Sequence, residues 1–429
     1  MAESIEIRPV AGPLRATIRP PGSKSLTNRA LVCAALADGS STLTGVLDSE
    51  DTRVMADALK ALGIGVTLER AGQRAVVIGR GGKIPAAGGE LYVANSGTTV
   101  RFLTAMVALG HGTFWLDGTP RMRERPIQDL LDALEQLGVR AHSVDGSGCP
   151  PVEVEAAGLP GGRATIRGDI SSQFLSGLLM AAPCAVGPVE IAIEGPLVSQ
   201  PYVRMTLAVM EAFGVRVDGA DLTRLSIRGG TRYQARSYAI EPDASAASYF
   251  WAAAAITGGE VTVDGLGRDS LQGDVRFCEC LAQMGCKVHY GDQQTTVRGG
   301  PLRGIDADMN DISDTVQTLA AVALFADGPT TIRGVGHIRH KETDRIGALA
   351  AELRKLGADV DERADGLTIV PGSLLRGAAL DTYDDHRMAM SLALVGLRLP
   401  GVIVKDPGCT AKTYPRFFED LDRLVRPPE

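Results

Sequence analysis

Six glycines recur along the chain at nearly constant spacing: Gly39, Gly112, Gly187, Gly259, Gly328 and Gly401, separated by 73, 75, 72, 69 and 73 residues. Each follows an Ala/Leu-rich stretch and opens a short apolar run such as Ser41-Thr42-Leu43-Thr44-Gly45 or Thr330-Thr331-Ile332-Arg333-Gly334. Fifteen residues before each glycine stand Lys24, Gly97, Ser172, Ala244, Ser313 and His386. Around them lie the most polar words of the sequence: PGSKS, NSGTTVR, DISSQF, EPDAS, NDISDT and DDHRM. A period this regular implies one unit written six times. Its chemistry sits at one phase, the N-terminus of the first helix.

A second marker keeps the same time. An apolar residue plus Gly closes a helical stretch at Gly63, Gly138, Gly214, Gly285 and Gly357, spaced 75, 76, 71 and 72 residues. Glycine there releases a helix into a strand. One unit therefore reads as polar loop, Ala-rich helix, Gly, strand, second loop, amphipathic helix, Gly, strand. Leu349, Leu353 and Leu356 give the second helix an apolar stripe, with Glu352, Arg354 and Lys355 outside it. The first helices, such as Ala30–Ala37 and Leu319–Ala326, are apolar nearly all round and predict burial. Six units divide into three and three, with the break near Arg236–Pro242. Helices that start at equivalent places point their positive ends the same way, each worth about 0.3–1 kcal/mol to a nearby anion. Two such sets facing each other would make an anion trap.

The bulk numbers narrow the function. A chain of 429 residues has room for two domains or more. Net charge of −7 argues against a non-specific nucleic-acid binder and gives clustered basic residues more weight. The start, MAESIEIRPV, lacks a signal pattern, and the longest apolar candidate, near Ala244–Thr257, is short and carries Ser245 and Ser248. Seven scattered cysteines read as free thiols in a reducing cytosol, without zinc spacing. The expectation is a cytoplasmic protein with no membrane, nucleic-acid or metal partner.

The polar words are basic at helix mouths. Pro20-Pro21-Gly22-Ser23-Lys24-Ser25, with Arg29 one turn on, lets backbone N–H groups and a cation approach a phosphate, and it is not a Walker A loop. Asn95–Arg101 repeats the idea. Arg121, Arg123 and Arg125 read as an exposed charged loop or, with Pro126 as a first helical residue, as a loop that puts Arg125 at a helix mouth. Ser171, Ser172 and Gln173 suit hydroxyl or phosphate recognition, or a plain N-cap. Lys341, Glu342 and Arg345 begin a helix with a basic–acidic cluster that intrahelical pairing could also explain. Asp384-Asp385-His386-Arg387 opens an otherwise apolar helix, and Lys405 and Lys412 flank the last loop. Glu241, Asp243, Asp314 and Glu342 supply carboxylates at the same phase. Arg and Lys with a few carboxylates suit proton transfer on phosphate- and carboxylate-bearing small molecules.

Together these words resemble the 5-enolpyruvylshikimate-3-phosphate synthases, the 3-phosphoshikimate 1-carboxyvinyltransferases. PGSKSLTNR, NSGTTVRFL, DGTPRMRERPI, SSQFLS, KETDR, DDHRMAM and DPGCTAKTYP occur in that family's order and spacing, essentially end to end. The resemblance implies an α/β, two-domain enolpyruvyl-transferase-like fold of six βαβαββ repeats, three per domain, with the active site in the interdomain cleft. It implies a discontinuous domain, 1–21 plus 241–429, and an inserted domain, 22–240. It implies transfer of the enolpyruvyl group of phosphoenolpyruvate to the 5-hydroxyl of shikimate 3-phosphate, without metal or cofactor, by a monomer.

Carried over, Lys24, Asp314 and Glu342 are the catalytic candidates. Lys24 bridges both substrates, Asp314 is the base near the attacking hydroxyl, and Glu342 donates the proton to carbon. Shikimate 3-phosphate falls to Lys24, Ser25, Arg29, Ser171, Ser172, Gln173, Ser199, Tyr202, Asp314 and Lys341. Phosphoenolpyruvate falls to Lys24, Gly97, Arg125, Gln173, Arg345, Arg387 and Lys412. Gly97, lacking a Cβ, leaves room for the phosphonate inhibitor glyphosate. Two positions depart from the pattern: His337 stands where many relatives carry Asn, and Ser96 where Ala is also familiar. The sister enzymes acting on UDP-N-acetylglucosamine share the chemistry but typically have Lys-Asn at the Lys24-Ser25 position and a catalytic-loop Cys, absent from Thr119–Pro126. A ring-like nucleic-acid clamp and an inactive scaffold are the remaining alternatives.

Overall fold

The structure is a computed structural model that describes residues 3–69, 73–219 and 221–425. The chain falls into two compact units, a discontinuous one of Met1–Pro21 with Glu241–Glu429 and an inserted one of Gly22–Ile240. Residues 1–2 and 426–429, the outermost of the domain expected from sequence, lie outside the described residues. Each unit has its own apolar core.

Among the described residues there are twelve α-helices, two to a repeat. The inserted unit holds α1 (Lys24–Leu36) and α2 (Glu50–Ala61), α3 (Gly97–Val107) and α4 (Gln128–Gln136), and α5 (Ser172–Ala181) and α6 (Gln200–Ala212). The discontinuous unit holds α7 (Ala244–Thr257) and α8 (Phe277–Gln283), α9 (Val316–Ala323) and α10 (Arg345–Lys355), and α11 (His386–Gly396) and α12 (Phe417–Val425). The odd-numbered helices are buried almost throughout, as their all-round apolar character predicts.

Each repeat contributes one sheet. In the second, Gly88–Tyr92 runs parallel to His111–Asp117, which pairs antiparallel with Val152–Ala157, and that in turn with Arg140–Ser143. The βαβαββ pattern needs a parallel strand before each odd helix, and the first repeat of each unit takes it from a distant part of the chain. Ser237–Ala239 lies parallel to Asp38–Thr44 in the inserted unit, and Arg15–Ile18 parallel to Glu260–Asp264 in the discontinuous one. The sixth sheet is closed by Ser4–Ile7 antiparallel to Val402–Lys405. In the third, the expected fourth strand shrinks to an isolated bridge, Asp218 to Ser226.

The helix-closing glycines do the work their spacing suggests. Gly63, Gly138, Gly214, Gly285 and Gly357 all have φ between 82° and 112°, a region where a Cβ is strained. At the first, Gly63 N–H donates to Lys60 O (2.9 Å) and Ile64 N–H to Leu59 O (3.1 Å), a Schellman motif that satisfies the last carbonyls.

The period also governs polar contacts inside the cores. Residues about one repeat apart, within a helical turn of the same phase, meet as hydrogen-bonded pairs. Asn28 donates to Thr98 Oγ1 (2.8 Å), 70 residues apart, and Arg101 to Gln173 Oε1 (2.7 Å), 72 apart. In the discontinuous unit Ser248, Thr318 and Ser391 form a buried hydroxyl chain at 3.0 and 3.3 Å, with separations of 70 and 73. Paired this way, the buried hydroxyls avoid the penalty of unmet donors.

Candidate active site

The residue fifteen before each periodic glycine is the first helical residue of α1, α3, α5, α7 and α11. The fifth repeat departs. Asn310–Thr315 forms a 3-10 turn interrupted at Ile312 (φ −129°), so α9 starts at Val316 and Ser313 and Asp314 stand in the turn before it.

In the inserted unit Lys24 opens α1 behind the N-cap Ser23, whose Oγ accepts from Leu26 N–H (3.4 Å). Its ammonium lies 3.7 Å from the Asp51 carboxylate, buried in the first turn of α2. Arg29 turns inward. It donates to Ser25 O (2.9 Å), Thr206 Oγ1 (2.7 Å), Tyr202 O (3.2 Å) and Ser176 Oγ (3.4 Å), and sits 5.2 Å from the centre of the Phe102 ring. Burial pulls its pKa down to about 10. This one guanidinium ties together the first turns of α1 and α6 and the middle of α5. Ser199, with left-handed φ of 53°, precedes α6, and its carbonyl accepts from Tyr202 N–H (3.0 Å).

At α3 a chain of contacts links the other predicted residues. A Cβ on Gly97 would fall on the Arg125 guanidinium, 2.9 Å from its Cζ, and 3.3 Å from Nη1 of Arg101. Arg125 is buried and donates to Asn95 O (2.9 Å) and Oδ1 (3.1 Å). Arg101 holds the Gln173 carbonyl oxygen, donates to Pro126 O (2.9 Å) and lies over the Phe174 ring. Ser171 caps α5 by accepting from Gln173 N–H (3.3 Å), and Ser172 is its buried first residue. Of the three arginines near α4, Arg121 and Arg123 are surface residues paired with Glu124 (2.6 Å) and Asp117. Arg125 is the buried one of the three. The helix itself starts at Gln128, past Pro126.

The discontinuous unit carries the denser cluster. Arg345, the first residue of α10, donates from Nε to Asp385 Oδ2 (2.8 Å), from Nη1 to Asp314 Oδ1 (3.2 Å) and from Nη2 to Glu342 Oε2 (2.8 Å). Lys341 Nζ reaches the same Asp314 oxygen (3.0 Å), and Arg387 Nη2 takes its other one (2.7 Å). Lys412 Nζ stands 3.9 Å from Glu342 Oε1. Burial alone would lower the Arg345 pKa, but Asp385, Glu342 and Asp314 raise it above its ordinary value. Burial pulls the Lys341 ammonium below its ordinary value, with Asp314 opposing and Arg345 adding to the pull. His337, in the preceding turn, is held down to about 3 by burial first and Lys341 second.

Lys341 and Glu342 are not on a helix, as their spacing suggested. Asp344 ends the loop by capping α10, accepting from Ile346 N–H (3.2 Å) and Gly347 N–H (3.1 Å). The Glu342–Arg345 pair therefore bridges loop and helix. Sequence reasoning missed Asp385, Asp51, Asn95 and the buttress role of Arg101. For Asp385 a signal existed: Asp is a favoured N-cap, and a carboxylate at the mouth of an otherwise apolar, buried helix calls for a cation beside it.

Four cations thus face three carboxylates in a largely buried setting. Such networks add little to stability, because desolvation offsets the attraction. Charges gathered around helix mouths with shifted pKa values mark a site for anionic ligands and proton transfer.

Comparison with known proteins agrees in extent as well as kind. The family model of EPSP synthase (3-phosphoshikimate 1-carboxyvinyltransferase) matches residues 10–421. The 3-phosphoshikimate 1-carboxyvinyltransferase of Nostoc punctiforme is 50% identical over 426 residues, covering 98% of this chain and 100% of the relative. The chloroplastic enzyme of Arabidopsis thaliana is 49% identical over 443 residues, covering 99% of this chain and 85% of its own. Among solved structures, an EPSP synthase from Acinetobacter baumannii superposes with a TM-score of 0.81 at 26% identity, covering 99% of this chain and 98% of that one. The two-domain α/β repeat architecture, the helix-mouth charge clusters and these full-length matches lead to one statement: the chain belongs to the EPSP synthase family.

Proposed function

We infer that the chain transfers the carboxyvinyl group of phosphoenolpyruvate to the 5-hydroxyl of shikimate 3-phosphate and releases phosphate, a step toward chorismate and the aromatic amino acids. The observation that carries this reading is the cluster of Lys341, Arg345, Arg387 and Lys412 around Asp314 and Glu342. Cations alone would suit any polyanion. Two carboxylates held among them add a means of moving protons.

The reaction needs both. The methylene carbon of phosphoenolpyruvate takes a proton, for which Glu342 is the donor. Positive charge develops on the adjacent carbon, and the 5-hydroxyl attacks it while giving its proton to Asp314. The tetrahedral adduct then loses a proton from the new methyl group and expels phosphate, leaving the enol ether. Lys24 bridges the substrates and assists the proton transfers. Gly97, Arg125, Gln173, Arg345, Arg387 and Lys412 hold phosphoenolpyruvate. Ser25, Arg29, Ser171, Ser172, Gln173, Ser199, Tyr202, Asp314 and Lys341 hold shikimate 3-phosphate. A charge-assisted hydrogen bond contributes about 1.5–3 kcal/mol, so several are needed for two polyanions. The reading carries with it a monomeric, cytoplasmic enzyme. Among the described residues no helix is long and apolar enough to cross a membrane.

The test is phosphate release from purified protein with phosphoenolpyruvate, with and without shikimate 3-phosphate, and with UDP-N-acetylglucosamine as competing acceptor. Release only with shikimate 3-phosphate is expected. Release with the nucleotide sugar would overturn the acceptor, and release with neither would overturn the activity.

A further inference from the structure

Two consecutive residues before the N-cap of α11 adopt left-handed backbone, Tyr383 (φ 55°) and Asp384 (φ 52°), and neither is glycine. This conformation is costly for a residue with a Cβ and persists where the surroundings over-determine it. The surroundings here centre on Glu352 of α10, whose side chain is fully buried. Its Oε1 accepts from the Tyr383 hydroxyl (2.6 Å), and its Oε2 from Asp381 N–H (3.0 Å). Lys355 donates to both oxygens (2.8 and 2.7 Å) and also to Asp381 (2.7 Å), which Lys405 reaches from the other side (2.9 Å). Burial and then Glu352 push the Tyr383 phenol up to about 12, so it stays a donor.

Glu352 is seven residues beyond Arg345, two turns or about 10 Å along α10. The helix therefore clasps the segment 381–385 twice: Glu352 grips Asp381 and Tyr383, and Arg345 grips Asp385. The strained pair runs from the first clasp, at Tyr383, to the residue before the second, and Arg387 lies two residues beyond Asp385.

We propose that the Glu352–Tyr383 pair positions phosphoenolpyruvate recognition, by holding the turn that aims the N-terminus of α11 and so Arg387. Neither residue touches substrate. The inference rests on the function proposed above, and it makes a selective demand. Arg387 is assigned to phosphoenolpyruvate, and no residue of α11 is assigned to shikimate 3-phosphate. Arg387 also holds one Asp314 oxygen, but Lys341 and Arg345 keep the other, so loosening the clasp must weaken phosphoenolpyruvate far more than shikimate 3-phosphate.

Tyr383→Phe removes only the hydroxyl, and the half-exposed ring keeps its place. The expected result is a rise of about tenfold in KM for phosphoenolpyruvate, with kcat and KM for shikimate 3-phosphate within about twofold. An unchanged KM for phosphoenolpyruvate, or a parallel rise in both, would overturn the proposal. Hydrogen–deuterium exchange of the substrate-free protein gives a readout that needs no turnover. In Tyr383→Phe the amides of 384–388 should exchange faster while those of α10 stay protected; unchanged exchange at 384–388 would also overturn it. If the unmodified protein fails to release phosphate, the functional reading falls, and the exchange measurement still decides whether the clasp holds the turn.

Discussion

Arg345 and Asp385 form the most deeply buried ion pair of the cluster, at 2.8 Å, with side chains 1% and 0% exposed. Asp385 also accepts from Arg387 N–H (2.8 Å), so a single carboxylate caps α11 and orients the arginine that opens α10. Asn at this position keeps the cap and loses the charge. Breaking a buried pair leaves an uncompensated ion, so Asp385→Asn is expected to lower stability by about 3 kcal/mol. It should also reduce kcat/KM for phosphoenolpyruvate by about 100-fold, since a displaced Arg345 misplaces the substrate. Urea denaturation and steady-state kinetics check the two halves. A stability loss with unchanged kinetics would assign the pair to the fold alone.

Gly97 and Arg125 offer a substitution that separates ligand geometry from folding. A Cβ at position 97 meets the tip of a flexible side chain rather than backbone. The arginine can yield, so Gly97→Ala should cost less than about 1 kcal/mol of stability. The shifted guanidinium should raise KM for phosphoenolpyruvate about tenfold. Glyphosate, expected to inhibit the unmodified protein from the space beside Gly97, should lose more affinity than the substrate does. An inhibition titration of both proteins tests this, and equal inhibition constants would be the contrary result.

Lys24 is placed against its electrostatic interest. A cation at the first residue of a helix opposes the positive end of the dipole, by about 0.3–1 kcal/mol. The 3.7 Å approach to Asp51 offsets this in part. Lys24→Met relieves that opposition but leaves the buried Asp51 carboxylate without this partner, so a net stability loss of about 2 kcal/mol is expected. The activity should fall about 1,000-fold or more, as expected when a group assisting proton transfer is removed. Thermal unfolding next to a phosphate-release assay would separate the two effects. Retention of activity would exclude Lys24 from the chemistry.

Much of this site was readable because its residues are locally anomalous. Lys24, Gly97, Ser172 and His386 open helices that are otherwise apolar, and a glycine period placed them at equivalent starts. The fifth repeat resisted, because the break at Ile312 inserts a 3-10 turn that spacing cannot reveal. Partners across the fold resisted for a different reason. Arg345 meets Asp385 from 40 residues away, and several carboxylates at the same phase were equally available to it. Arg29 faces the core because α1 is buried on every side, and a helix without a polar face gives no indication of which way one arginine points. The clasp at Glu352 looked like the solvent side of an amphipathic helix. Only the chain returning at Asp381–Tyr383 buries it.

His337 makes stability depend on pH in a window that can be named. Burial, with Lys341 second, holds its pKa at about 3 against an ordinary value of 6.5. Between those values the unfolded chain binds a proton that the folded protein refuses. The contribution of a neutral His337 is therefore fully present above about pH 6.5 and is lost as pH falls toward about 3. At pH 5.5, one unit inside the window, the loss is about 1 kcal/mol. Asparagine at this position has no proton to gain. Between pH 7.5 and 5.5 the unmodified protein is expected to lose about 1 kcal/mol more stability than His337→Asn, read as the difference between their urea midpoints at each pH. Other acid-sensitive groups shift both proteins together and cancel in that difference. Parallel acid limbs for the two proteins would mean that His337 takes up its proton in the folded state as readily as in the unfolded one.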